Sequence, residues 1–170
     1  PAISMIDEAL TQAADQRPEA AVRTLEQALR ISPTNATVLA RAGLVWQRCG
    51  DAEQAFACYR KAITADPKHA EAWYLQGNLQ RSHRDAAGAR HSYEQAIALD
   101  PDLGEAHNNL GTLLAVSDPA RAAACFAEAL RIDPTNCEAY SNLGNAHVRQ
   151  GRRDEAIACY RKALQLQPNH

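Results

Sequence analysis

The sequence predicts an all-α protein built of stacked helical hairpins, and three observations predict it. Five prolines, Pro33, Pro67, Pro101, Pro134 and Pro168, are spaced 34, 34, 33 and 34 residues apart. Each closes an alanine-rich amphipathic run: LEQALRISP, YRKAITADP, YEQAIALDP, FAEALRIDP and YRKALQLQP. Upstream of each lies a second amphipathic run with a small residue at its centre. Two of these nearly copy one another, AHNNLGTLL (106–114) and AYSNLGNAH (139–147). A fixed period of this length marks a repeat array, whose units carry an apolar stripe they cannot bury alone.

Taken in order, the units are expected at about 3–35, 36–69, 70–103, 104–136 and 137–170, as one array over 1–170. Each gives two helices of about 12 residues joined by a short turn, with no strand. The prolines end the second helices, because proline lacks the N–H and clashes with the preceding turn. Gly50 and Gly151 suit the turn inside their hairpins. The third unit places Arg84 in that turn, where a glycine is expected. The first and fourth are one residue shorter there and open their second helices with Pro18 and Pro119, where the fixed φ of proline helps.

These residues resemble the tetratricopeptide repeat, a helix–turn–helix unit of about 34 residues. The second unit supplies Leu39, Ala42, Gly43, Trp46, Ala55, Tyr59, Ala62 and Pro67. The third supplies Trp73, Gly77, Ala89, Tyr93, Ala96 and Pro101, with Gln76 where the pattern has Leu. The fourth supplies Leu110, Gly111, Leu114, Ala122, Phe126, Ala129 and Pro134, and the fifth Tyr140, Leu143, Gly144, Ala156, Tyr160, Ala163 and Pro168. The first is degenerate, with Ile6, Ala9, Leu10, Ala21, Leu25, Ala28 and Pro33. The resemblance implies a right-handed superhelical solenoid. Its first helices would line a concave groove and its second helices would form the convex back.

Carried over position by position, the groove would hold Arg41, Arg48, Tyr74, Asn78, Arg81, Asn108, Asn109, Asn142, Asn145 and Arg149. An asparagine amide offers both a donor and an acceptor. Asparagines at the repeat spacing suit the backbone of an extended peptide, so the expected partner is a protein or peptide. The fifth unit also reads like the asparagine-bearing repeat arm of the O-linked N-acetylglucosamine transferases. The alternative it raises is a substrate-recruiting arm of a larger bacterial glycosyltransferase. The chaperone-tail clamp of the family is not matched: Tyr74, Asn78, Asn109, Glu138 and Asn142 stand at its positions, every cation is missing, and Glu138 would repel a carboxylate. A secretion or pilus-assembly lipoprotein is a third class, disfavoured by the free cysteines.

Composition narrows the rest. A net charge of −2 argues against a dedicated nucleic-acid binder, which needs a basic excess. No apolar run approaches the ~20 residues that cross a bilayer, so no membrane partner is expected. No charged-then-apolar leader opens the chain. Five cysteines and no CxxC fit reduced thiols in a cytoplasm better than a disulfide framework or a zinc site. Cys58, Cys125 and Cys159 share one repeat position and read as small packing residues. His107 and His147 stand at packing positions and read as half-buried, hydrogen-bonded groups. No catalytic set, metal site or cofactor loop is expected, and the array is expected to be non-enzymatic. The apolar residues Ile157, Tyr160 and Leu164 at one end, and Ile3, Met5, Ile6 and Leu10 at the other, raise self-association or a continuing parent chain.

Overall fold

The structure, a computed structural model, describes residues 1–166. Pro168, expected to end the last helix, lies outside them, as do Gln167, Asn169 and His170. Ten helices and no strand are found among the described residues: α1 (Ala2–Ala14), α2 (Pro18–Ile31), α3 (Ala36–Arg48), α4 (Ala52–Ala65), α5 (Ala70–Ser82), α6 (Ala86–Leu99), α7 (Gly104–Leu114), α8 (Pro119–Ile132), α9 (Cys137–Arg149) and α10 (Arg153–Leu166). Each odd helix pairs with the next as a hairpin. The helices fall into two compact units, Pro1–Leu99 with three hairpins and a second from Asp100 onward with two.

Local chemistry sets the helix starts. Asn35, Asp51, Asp118 and Asn136 each accept a hydrogen bond from the backbone N–H three residues on, at 2.9–3.0 Å. His69 does the same through Nδ1, which accepts from Ala72 N at 3.2 Å. Its other ring nitrogen meets Thr37 Oγ1 at 3.1 Å, so one imidazole joins the start of α5 to α3. Pro18 and Pro119 occupy the first turns of α2 and α8. The hairpin turns after α3 and α9 pass through the left-handed region at Gly50 (φ 85°) and Gly151 (φ 74°). The turn after α5 makes the same bend at Arg84 (φ 63°), and the turn after α1 at Gln16 (φ 57°). A side chain held there costs about 1–2 kcal/mol.

Packing inside each hairpin follows from one pair of positions. Tyr59, Tyr93 and Phe126 are buried on the second helices, with Ala55, Ala89 and Ala122 buried one turn earlier. Each ring sets its Cδ1–Cε1 edge against a glycine of the first helix. A Cβ added at Gly77 would come within 2.7 Å of Tyr93 Cε1, and one at Gly111 within 2.6 Å of Phe126 Cε1. The helices approach this closely only because that atom is missing. In the first unit α3 packs against both α1 and α5, which sets the first helices side by side. In the second unit Ala129 and Leu130 of α8 cluster with Ala139, Tyr140 and Leu143 of α9.

Position four of a repeat also has a polar duty. Trp73 Nε1 donates to the carbonyl of Pro67 at 3.1 Å. In the second unit His107 stands at that place, and its Nε2 lies 3.0 Å from the carbonyl of Pro101. His107 is therefore half-buried and hydrogen-bonded, while His147 departs from expectation: its Nδ1 is buried with no partner among the described residues. Ile157 and Leu164 on α10 are about half exposed, at 47% and 55%.

Candidate functional site

In the first unit the groove-facing residues come from α3 and α5. Arg41 and Arg48, expected to meet a ligand, are already engaged by α1. Arg41 Nη1 pairs with Asp7 Oδ1 at 2.9 Å, and Arg48 Nη1 donates to the carbonyl of Leu10 at 3.2 Å. The degenerate first repeat supplies both acceptors, and these arginines staple α3 to α1. Tyr74 is half-buried, its ring tilted against that of Tyr93 at 6.2 Å. Asn78 accepts the Tyr93 hydroxyl at Oδ1, 2.8 Å. Arg81 is exposed in the last turn of α5.

In the second unit α7 and α9 carry the site. Asn108 departs from an open groove position: it is 6% exposed and its amide is spent. Its Nδ2 donates to Glu138 Oε1 at 3.4 Å, and its Oδ1 accepts from Asn142 Nδ2 at 3.3 Å. Asn109 is half-buried. Asn145 is exposed, and its Oδ1 accepts the Tyr160 hydroxyl at 2.7 Å. Arg149 is exposed at the end of α9. Together Thr112, Ala115, Asn142, Asn145, Val148 and Arg149 line a pocket of about 550 Å³ floored by Phe126. No carboxylate is among its lining residues.

The tyrosine hydroxyls were not foreseen, yet the sequence holds a signal for them. Where the second helix carries Tyr93 or Tyr160, the residue that directly follows the glycine of the first helix is Asn78 or Asn145 and accepts the hydroxyl. Where it carries Phe126, that residue is Thr112, whose Oγ1 turns back to its own helix at the carbonyl of Asn108, 2.9 Å. Where it is Leu44, the Tyr59 hydroxyl goes instead to Gln47 Oε1 at 3.0 Å. The partner of each ring is chosen by what can accept a proton.

No disulfide joins any two of the five cysteines. Cys58 and Cys125 are buried, and burial pushes the Cys58 thiol up. Among the described residues no three His, Cys, Asp or Glu side chains come together as metal ligands. No described helix is long and apolar enough to cross a membrane.

Known proteins place this architecture. Residues 57–170 match the family described as the cytochrome c-type biogenesis protein H TPR domain, and residues 12–79 match a tetratricopeptide repeat family. The TPR repeat-containing protein PA0015 of Pseudomonas aeruginosa is 30% identical over 102 residues, 59% of this chain and 97% of that protein. Human tetratricopeptide repeat protein 6 is 31% identical over 83 residues, 49% of this chain but 16% of that protein. The mouse protein O-mannosyl-transferase TMTC1 is 30% identical over 97 residues, 55% of this chain and 10% of its own length. Among solved structures, MamA superposes with a TM-score of 0.81 at 24% identity, covering 93% of both chains. YrrB, described as a TPR protein with an unusual peptide-binding site, superposes with a TM-score of 0.76 at 24% identity, covering 100% of this chain and 88% of that one. Pseudomonas aeruginosa pilF gives 0.87 at 22% identity, with 99% and 78% covered. The helical hairpins, the glycine–aromatic seams and these matches agree: the chain belongs to the tetratricopeptide repeat family.

Proposed function

We propose that the chain is a non-enzymatic protein-interaction scaffold, one array of five repeats that holds an extended peptide segment of a partner along its first helices. The observation that carries this is the pocket of the second unit. It sets an amide pair, Asn142 and Asn145, beside Val148, Ala115 and Arg149 on one face. Such a face offers hydrogen bonds to a peptide backbone and an apolar strip to a side chain. The net charge of −2 gives nucleic acid little to hold. The peptide site described for YrrB is in keeping with this reading. Five cysteines with no disulfide among them are in keeping with a reducing, cytoplasmic setting.

The test is a peptide-display selection against residues 1–170, followed by titration of the enriched sequences. The double substitution Asn109→Ala with Asn142→Ala is expected to weaken them while leaving helicity nearly unchanged and lowering the melting temperature modestly, because the buried Asn108 Oδ1 loses the donor Asn142. Unaltered affinity in that variant would move the site off this face.

A second reading is favoured by one observation, the 30% identity to part of a protein O-mannosyl-transferase. In it the array is the substrate-recruiting arm of a larger glycosyltransferase, as the likeness to the O-linked N-acetylglucosamine transferase arm also suggests. Sequencing the coding frame on both sides of the chain decides between the two. The exposed Ile157 and Leu164 offer a further surface for self-association, which sedimentation over a concentration series tests.

A further inference from the structure

We infer that the pocket of the second unit selects acidic segments, gripping one peptide unit between Asn142 and Asn145 and a nearby Asp or Glu carboxylate at Arg149. This rests on the peptide-binding reading above and names the class of peptide. The polarity of the two amides is set from below and behind. Tyr160 donates its hydroxyl to Asn145 Oδ1 at 2.7 Å, so what Asn145 presents to the pocket is its N–H pair. Asn142 commits its Nδ2 to Asn108 Oδ1 at 3.3 Å, so what it presents is its carbonyl oxygen. A donor and an acceptor three residues apart on one helix face match the C=O and N–H of a passing peptide backbone.

Charge then picks the sequence. Arg149 is exposed on the pocket wall and pairs with no carboxylate among the described residues. Arg152 and Arg153 are exposed just beyond it, but so are Asp154 and Glu155, so the cation that the site itself offers is Arg149. The acidic residue of the same helix is remote: Glu138 lies eleven residues earlier, about 16 Å along the axis. It is also partly satisfied by Asn108. From Asn145 to Arg149 the helix rises about 6 Å, close to two residues of extended chain at about 3.3 Å each. The carboxylate therefore belongs within two positions of the gripped peptide unit, with an aliphatic neighbour against Val148 and Ala115.

The experiment uses residues 1–170 on an array of immobilised short peptides. Acidic, basic and uncharged members share one aliphatic pattern, and the retained sequences are then titrated in solution. Acidic members are expected to be retained, and Arg149→Gln to weaken them about tenfold or more with no change in melting. Tyr160→Phe is expected to weaken them as well, because Asn145 is then free to turn its oxygen into the pocket. The fold already carries a phenylalanine at the equivalent place, Phe126 over Gly111, so this variant keeps its packing. Tyr160→Phe with Asn145→Thr copies that Phe126–Thr112 arrangement and is expected to melt normally without recovering the affinity. Equal retention of charged and uncharged members, lost in Asn109→Ala with Asn142→Ala, would overturn the acidic selectivity and leave the peptide reading standing. An empty array, or retention indifferent to every one of these substitutions, would overturn both.

Discussion

Gln76 donates from Nε2 to Ser92 Oγ at 3.4 Å inside the third hairpin, at two positions that are apolar and thiol-bearing in the second, fourth and fifth. The positions equivalent to Gln76 hold Ala42, Leu110 and Leu143, and those equivalent to Ser92 hold Cys58, Cys125 and Cys159. Both residues are buried, and the Ser92 hydroxyl donates to Gln80 Oε1 at 2.7 Å. The arrangement is incomplete, because Gln76 Oε1 is buried with no partner among the described residues. Such a group costs about 1–3 kcal/mol. Gln76→Leu with Ser92→Cys restores the pattern of the fourth and fifth repeats. It is expected to stabilise the chain by about 1–3 kcal/mol in urea unfolding; no gain in midpoint would mean that the cavity is shaped for the polar pair.

The hairpin turns give a reciprocal pair. Arg84 stands at φ 63°, where Gly50 and Gly151 stand at 85° and 74° in their own turns. Arg84→Gly removes the clash of a Cβ in the left-handed region but frees the unfolded chain, so a net gain of about 0.5–1 kcal/mol is expected. Gly151→Ala should lose about 1 kcal/mol. Nothing lies within 4 Å of a Cβ there, so that loss would report backbone conformation alone. Thermal melts of both variants check the signs, which must be opposite.

Gly111→Ala tests the seam between α7 and α8. The new methyl would sit 2.6 Å from Phe126 Cε1, so the ring or a helix must move. Alanine is the better helix former by roughly 0.5–1 kcal/mol, but overpacking costs about 1–3 kcal/mol. A net loss is expected, and it should shrink when Phe126→Leu is added. A loss that the second substitution does not relieve would place the strain elsewhere.

Alkaline pH should weaken the fold. Burial raises the Cys58 thiol above its ordinary 9.0, and burial raises the Tyr59 phenol well above 10.0. Folded-state values raised above the unfolded ones hold protons that the unfolded chain releases. The stability from these groups is thus fully present below about pH 9 and is lost as pH rises further. Melting temperature is expected to be level from neutral pH to about pH 8.5 and to fall beyond it. Cys58→Ala should blunt the first part of the fall. In a thiol-reagent assay on the native chain, Cys58 should label more slowly than the half-buried Cys137.

The proline period, the repeated glycine and the aromatic that follows it on the next helix were legible in the sequence because each acts locally. Proline stops its own helix, and Gly111 and Phe126 meet within one hairpin. That determined the all-α hairpins, their turns and their family. What the sequence could not decide was which groove residues are free. Arg41 and Arg48 read as ligand groups until α3 was set beside α1, which brought Asp7 and the Leu10 carbonyl to them. Asn108 and Asn142 read as equal members of a polar row until α9 was laid along α7, which buried one and oriented the other. A hydrogen bond needs its partner within about 3 Å, and residues more than thirty apart in the chain reach that distance only through tertiary packing. The repeat fixed where each side chain stands on its helix; stacking alone fixed which of its polar atoms remained to be offered.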